Sequence, residues 1–125
     1  MFTSVLVASE YAVVANKNFK KISKADIKSI YLKKLSYMND KKIVPINLSS
    51  RDKIRKSFEK KIFHMSFTRL KSYWTKQHYL GHRPPITMKS QKSVNLFIKK
   101  VDVSIGYMDV RNVDKNLKII YRWSD

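Results

Sequence analysis

The sequence predicts a layered α/β domain, and three observations carry that prediction. Short apolar runs of strand composition alternate with stretches whose apolar residues recur at helical spacing. A serine stands in capping position before each helical stretch. At 125 residues, with 43% hydrophobic and 12% aromatic content, the chain can bury one small core.

Residues 1–10 (MFTSVLVASE) form an apolar run ending in small residues. They resemble the back half of a secretory signal peptide, with Val7, Ala8 and Ser9 near a cleavage site, although a charged n-region is missing. The other reading is a first strand through residues 5–7. Because residues 11–15 (YAVVA) already supply a good buried strand, the signal-remnant reading is preferred, and the domain is taken as 11–125. A polar connection over 16–21 follows. Ser23 and Asp26 then make a capping box, stapled by Ile22 and Ile27, for a helix whose stripe is Ile27, Ile30, Tyr31 and Leu35. Residues 38–41 read as a turn. Residues 42–48 (KIVPINL) read as a strand, with Pro45 pointing to an edge position or a strand end.

Ser49 and Ser50 are placed to cap the next helix, and Ile54, Phe58 and Ile62 lie four apart on its inner face. The most distinctive stretch is 66–85 (SFTRLKSYWTKQHYLGHRPP). Ser66 caps a helix carrying Leu70, Tyr73 and Trp74. Gly81 suits the position just past its end, and Pro84 and Pro85 prevent re-entry. Residues 86–89 read as a connection. Ser90 caps a fourth helix with Val94, Phe97, Ile98 and Val101 on one face. Residues 103–108 (VSIGYM) and 117–123 (LKIIYRW) read as the last strands.

The net charge is +18, with 21 lysines and 6 arginines spread along the whole chain. A dedicated nucleic-acid reader more often gathers its cations on one face and favours arginine for bidentate contacts. Dispersed lysine is also what a lysine-rich coding habit places on solvated helix faces. In either case the charge predicts salt-sensitive adhesion to polyanions. The chain has no cysteine, which excludes disulfides, thiolate metal sites and cysteine nucleophiles. It also has no apolar run long enough to span a membrane.

Catalytic signatures are absent. With two glycines in the chain a Gly-rich phosphate loop is excluded, and no Ser-His-Asp or G-x-S-x-G pattern occurs. His78 and His82 stand four apart, but Gly81 ends the helix between them and no third ligand lies nearby, so no metal is expected. Trp74, Tyr73 and Tyr79 beside lysines could stack on single-stranded nucleic acid. An anchor against the sheet explains Trp74 more simply. The residues read as those of a protein that is not an enzyme and needs no cofactor.

Several fragments, in order, resemble the phosphate-binding solute receptors of ABC transporters. Residues 26–32 (DIKSIYL) are similar to a helix that in that family usually reads IFLGK, and 42–47 (KIVPIN) to the strand IVPVN. Arg55 and Phe58 match R-x-x-F. Tyr73 and Trp74, then Gly81, Pro84 and Pro85, resemble yW…f-x-G-x-x-PP. Residues 104–107 (SIGY), with Gly106 and Tyr107, match aIGY. The resemblance covers about residues 11–108. It implies a three-layer α/β/α single lobe, like one domain of a type II periplasmic binding protein, in a periplasmic or otherwise exported protein.

The family's phosphate motif R-x-D-x-S-G-T is replaced. Aligned on Phe58, it becomes Leu48, Ser50, Asp52, Lys53 and Ile54 in place of the Arg, Asp, Ser, Gly and Thr. From residue chemistry alone, the best anion candidate is the helix start carrying Ser49, Ser50, Arg51, Lys53 and Arg55. The sequence reading is therefore a non-catalytic, phosphate-receptor-like binding module whose expected ligand is a small oxyanion such as phosphate. Expected partners are a second copy or a separate second lobe, and an ABC transporter or other envelope component. The alternative is a polyanion-binding or structural interaction domain that uses its lysine-rich surface.

Overall fold

In the computed structural model, which describes residues 9–125, strand β1 (Glu10–Ala15) leads to helix α1 (Lys24–Tyr31). A two-strand hairpin, β2 (Tyr37–Met38) and β3 (Lys41–Lys42), precedes β4 (Val44–Leu48). Helix α2 (Lys53–Phe58) continues without a break into a π-helical turn, Glu59–Phe63. Then come α3 (Phe67–Tyr79), β5 (Ile86–Met88), α4 (Gln91–Lys100), β6 (Ser104–Asp109), a 3-10 turn (Val110–Asn112) and β7 (Lys118–Ser124). The signal-peptide reading falls on residues of which the first eight lie outside those described.

The five longer strands make one mixed sheet in the order β5-β4-β6-β1-β7. β4 runs parallel to both β5 and β6, whereas β1 is antiparallel to β6 and to β7. Alternation along β6 and β1 sets the layers. Gly106 and its partner Val14 face α4, while Tyr107 and its partner Val13 face α1 and α2. Helix α3 lies on the α1 side, where the Tyr73 hydroxyl donates to the Leu32 carbonyl. The result is the expected α/β/α arrangement.

Local chemistry explains most boundaries. Ser23, Ser66 and Ser90 each accept the backbone N–H three residues on, and Asp26 completes a capping box with Ser23. Gly81, at φ +80°, closes α3 in a Schellman motif. Its N–H donates to His78 O at 3.0 Å, and that of His82 to Gln77 O at 2.9 Å.

Two boundaries differ from the sequence reading, and two others are refined by the structure. Residues 86–88 form an edge strand rather than a connection, because β4 offers a free flank there. The turn at 38–41 is held by its own short hairpin, with Asn39 and Asp40 in the left-handed region. Helix α1 stops at Tyr31 because Lys33 adopts φ +62°, so Leu35 packs on the core from a loop. Pro45 sits inside the sheet, near the start of β4, opposite Ile105 of β6 and one residue before pairing with β5 begins. At that position it removes no rung on the β5 side.

The core on the α1/α2 face is aromatic. Phe58 stacks on Tyr107 (centroids 4.0 Å, 10°) and meets Tyr31 edge-on at 4.7 Å and Trp123 at 5.8 Å. Among the described residues the buried hydroxyls are all partnered. Tyr31 reaches the carbonyls of Ile46 and Ile105, at 2.8 and 3.2 Å, and burial pushes its pKa well up. On the other face, a Cβ added to Gly106 would stand 2.8 Å from Val94 Cγ1 and 2.9 Å from Ile98 Cδ1, so α4 seats on the sheet where the side chain is missing. Gly106→Ala should therefore cost about 1–3 kcal/mol through overpacking. Urea unfolding checks this, and wild-type stability in the variant would refute the close-packing account.

Candidate functional site

Strands β4, β5 and β6 run parallel, so their carboxyl ends share one edge of the sheet, and the loops to α2, α4 and the 3-10 turn leave from it. In open α/β sheets this edge is where ligands bind. The antiparallel pairing brings Glu10 and Ser124 to the same edge.

The β4 end is fixed first. The Tyr107 hydroxyl donates to Asn47 Oδ1 at 2.8 Å and accepts the Leu48 N–H at 3.1 Å, and burial raises its pKa strongly. Residues 49–52 then turn, with Asp52 N–H donating to Ser49 O at 2.9 Å. The helix cap is Asp52 rather than Ser49 or Ser50, since its Oδ1 accepts the Ile54 N–H at 2.8 Å. The chain's own carboxylate thus occupies the place an anion would take at this helix start.

The sequence-selected residues divide. Ser50, Arg51 and Lys53 are exposed at the edge, and Ser49 is half-buried. Arg55 turns back into the fold. Its Nη1 donates to Leu48 O at 3.0 Å and its Nε to Glu59 at 3.3 Å, so the guanidinium ties α2 to the end of β4. Opposite the loop stands a pair that sequence reasoning passed over, Asp109 and Arg111. Arg111 donates to the Asp109 carboxylate from its backbone N–H, Nε and Nη2, at 2.9, 3.0 and 2.7 Å. These bonds hold the Asp109 carboxyl below the usual range against the effect of its burial, and the Lys53 charge adds to them. The D-x-R spacing at the end of an apolar strand was the available signal. Gln91 of α4 accepts the Asp109 N–H at 2.9 Å and so closes the edge from the α4 side.

The residues chosen from the family pattern lie elsewhere. Trp74 is half-buried beside Tyr73, at 5.1 Å between centroids. Gly81 and Pro84 are exposed in the turn after α3, and Pro85 is buried. Gly106 and Tyr107 are core positions of β6. His82 faces Gln77 at 2.7 Å. Among the described residues no group of three His, Asp or Glu side chains stands close enough to hold a metal ion.

Two outcomes follow from this geometry. Arg55→Ala leaves the Leu48 carbonyl and Glu59 without their cation and should lower stability by about 1–3 kcal/mol, read by urea unfolding; an unchanged midpoint would mean the clamp contributes nothing. Asp109, depressed in the fold, contributes stability above the ordinary aspartate value of about 3.9 that is lost as pH falls through its lower folded value. Arg111→Met should flatten that acid limb, which unfolding curves at pH 7 and pH 3 compare.

No protein-family model matches the chain, and no curated protein matches it in sequence. Its fold is matched by solved structures. One is an ABC-type phosphate transport receptor from Vibrio cholerae, at TM-score 0.69 and 16% identity, over 90% of this chain and 46% of that one. A second, described as a phosphate ABC transporter substrate-binding protein from Clostridium perfringens with bound phosphate, matches at 0.69 and 18% identity, over 91% and 46%. PstS from Borrelia burgdorferi matches at 0.67 and 17%, over 92% and 48%. The chain spans about half the length of each, and it has the fold of a single lobe of these phosphate receptors.

Proposed function

We propose that this chain is a non-catalytic, exported binding lobe of the phosphate-receptor kind that holds a small oxyanion at the carboxyl edge of its sheet. The observation that carries the proposal is the gathering of Ser49, Ser50, Arg51 and Lys53 on that edge, in a fold matched by a receptor solved with phosphate bound. Asp52 already takes the Ile54 N–H, so the ligand is held by side chains, Arg51 and Lys53 above all. One lobe leaves such a ligand open to water. A second copy or a separate second lobe closes over it, and an ABC transporter or another envelope component receives the complex.

A second reading is supported by the charge of +18: the lysine-rich surface holds an anionic polymer, nucleic acid or envelope polymer, without a dedicated pocket. The two readings separate by salt. Isothermal titration with phosphate, then sulfate, at about 150 mM salt, where exposed charges are screened beyond about 8 Å, should give saturable binding. Arg51→Ala should weaken it by about three- to tenfold. No heat at millimolar phosphate would overturn the oxyanion reading and leave the polymer reading, for which affinity falls steeply with salt.

A further inference from the structure

A second concavity lies beside the edge strand β7, about 490 Å³ in volume. It is lined on one side by Ser57, Lys60, Lys61 and His64 of the helical stretch and on the other by Trp123 and Asp125 at the end of β7. The helix accounts for the first side. Ile54, Phe58 and Ile62 turn inward and are buried, which puts Lys53, Ser57, Lys60 and Lys61 along an outer face at i, i+4, i+7 and i+8. Over residues 60–61 the helix widens into its π-helical turn, and His64, left-handed at φ +52°, ends it. Turns of this kind are frequent at functional sites. Lys24 of α1 reaches His64 Nε2 at 3.3 Å and adds a further cation at that end.

The groove floor is already organised. Trp123 Nε1 donates to Ser57 Oγ at 2.9 Å, and Ser57 Oγ donates to Asp125 Oδ1. Ser57 keeps a lone pair free, and the side-chain carboxylate of Asp125 in the groove is engaged by that hydroxyl. From Ser57 to His64 the lining stretch rises about 10 Å, longer than one phosphate. Lys60 and Lys61 within the groove and Lys24 at its His64 end suit charges repeated along a chain.

We propose that this groove binds a linear oligophosphate, several phosphoryl groups in a row, lying along Lys60 and Lys61 against Trp123. The site is separate from the oxyanion edge, and Arg51 takes no part in it. Free polyphosphate and the phosphate tail of a nucleotide share this chemistry.

The test uses the full chain as Trp74→Phe, which leaves Trp123 the sole tryptophan, titrated at about 150 mM salt with tripolyphosphate and, in parallel, with ATP. A saturable change in Trp123 fluorescence is expected. Tripolyphosphate binding at least as tight as ATP assigns the site to free polyphosphate, and tighter ATP assigns it to a nucleotide tail. Lys60→Ala/Lys61→Ala should weaken binding on the order of tenfold. Asp125→Asn should tighten it, because the groove loses a negative charge. Lys71→Ala/Lys76→Ala on exposed α3, with the same loss of charge, should change it little. No fluorescence change, or equal weakening in the two double variants, overturns the proposal. Circular dichroism of each variant confirms that it is folded.

Discussion

The stack of Phe58 on Tyr107 is the contact the rest of the structure depends on. One ring belongs to the helix after β4 and the other to β6, so their face-to-face packing sets the height of α2 above the sheet. The same tyrosine extends its hydroxyl to Asn47 and Leu48 and fixes the last residues of β4. Tyr31 packs against both rings and bonds the carbonyls of β4 and β6. Three aromatic side chains thereby lock α1, α2, β4 and β6 together, and each polar atom they bury has a partner. An unpartnered hydroxyl here would cost about 1–3 kcal/mol, so the cluster specifies the arrangement as well as stabilising it.

That lock determines what the carboxyl edge can offer. With β4 pinned at Leu48, its carbonyl faces α2 and recruits Arg55, and the turn that follows presents Asp52 to the Ile54 N–H. The groups best suited to an anion are therefore consumed by the fold itself. The cations left at the loop are the exposed ones, Arg51 and Lys53, across from an Asp109 already neutralised by Arg111. Self-satisfaction of this kind leaves no free helix start for an anion. The charge has not left the molecule. Lys60 and Lys61 lie on the outer face of the helical stretch beside β7, near a hydroxyl and an indole.

Much of the fold was legible because its signals are local. Ser23, Ser66 and Ser90 cap where they stand, since an N-cap needs only its own side chain and the next three residues. Gly81 ends α3 for the same reason, being free to adopt positive φ. The apolar spacing of Ile54, Phe58 and Ile62 marked the buried face of α2 correctly. Strand β5 was not legible, because three residues carry no periodicity and become a strand only beside β4. The stretch 66–85, the most distinctive in the sequence, proves peripheral. Of helix α3 only Leu70 is buried, while Phe67 and Tyr79 project into solvent. Aromatic residues announce burial statistically, but a helix held to the rest by one face can leave several of them outside.

The sequence by itself determined the class of fold, the serine caps of α1, α3 and α4, the inner faces of the helices and the absence of cysteine chemistry. These depend on residue type, on spacing along the chain and on backbone freedom, all of which act within a few positions. Only the tertiary structure decided how each charged side chain is spent. Arg55 and Arg51 were both read as anion candidates, yet one is drawn inward by the carbonyl of Leu48 and the other stays exposed. The same holds for Asp125, which enters a groove wall because β7 ends beside α2. The reason is physical: a charge is held or released by the groups that three-dimensional packing brings within hydrogen-bond reach, and those groups are distant in sequence.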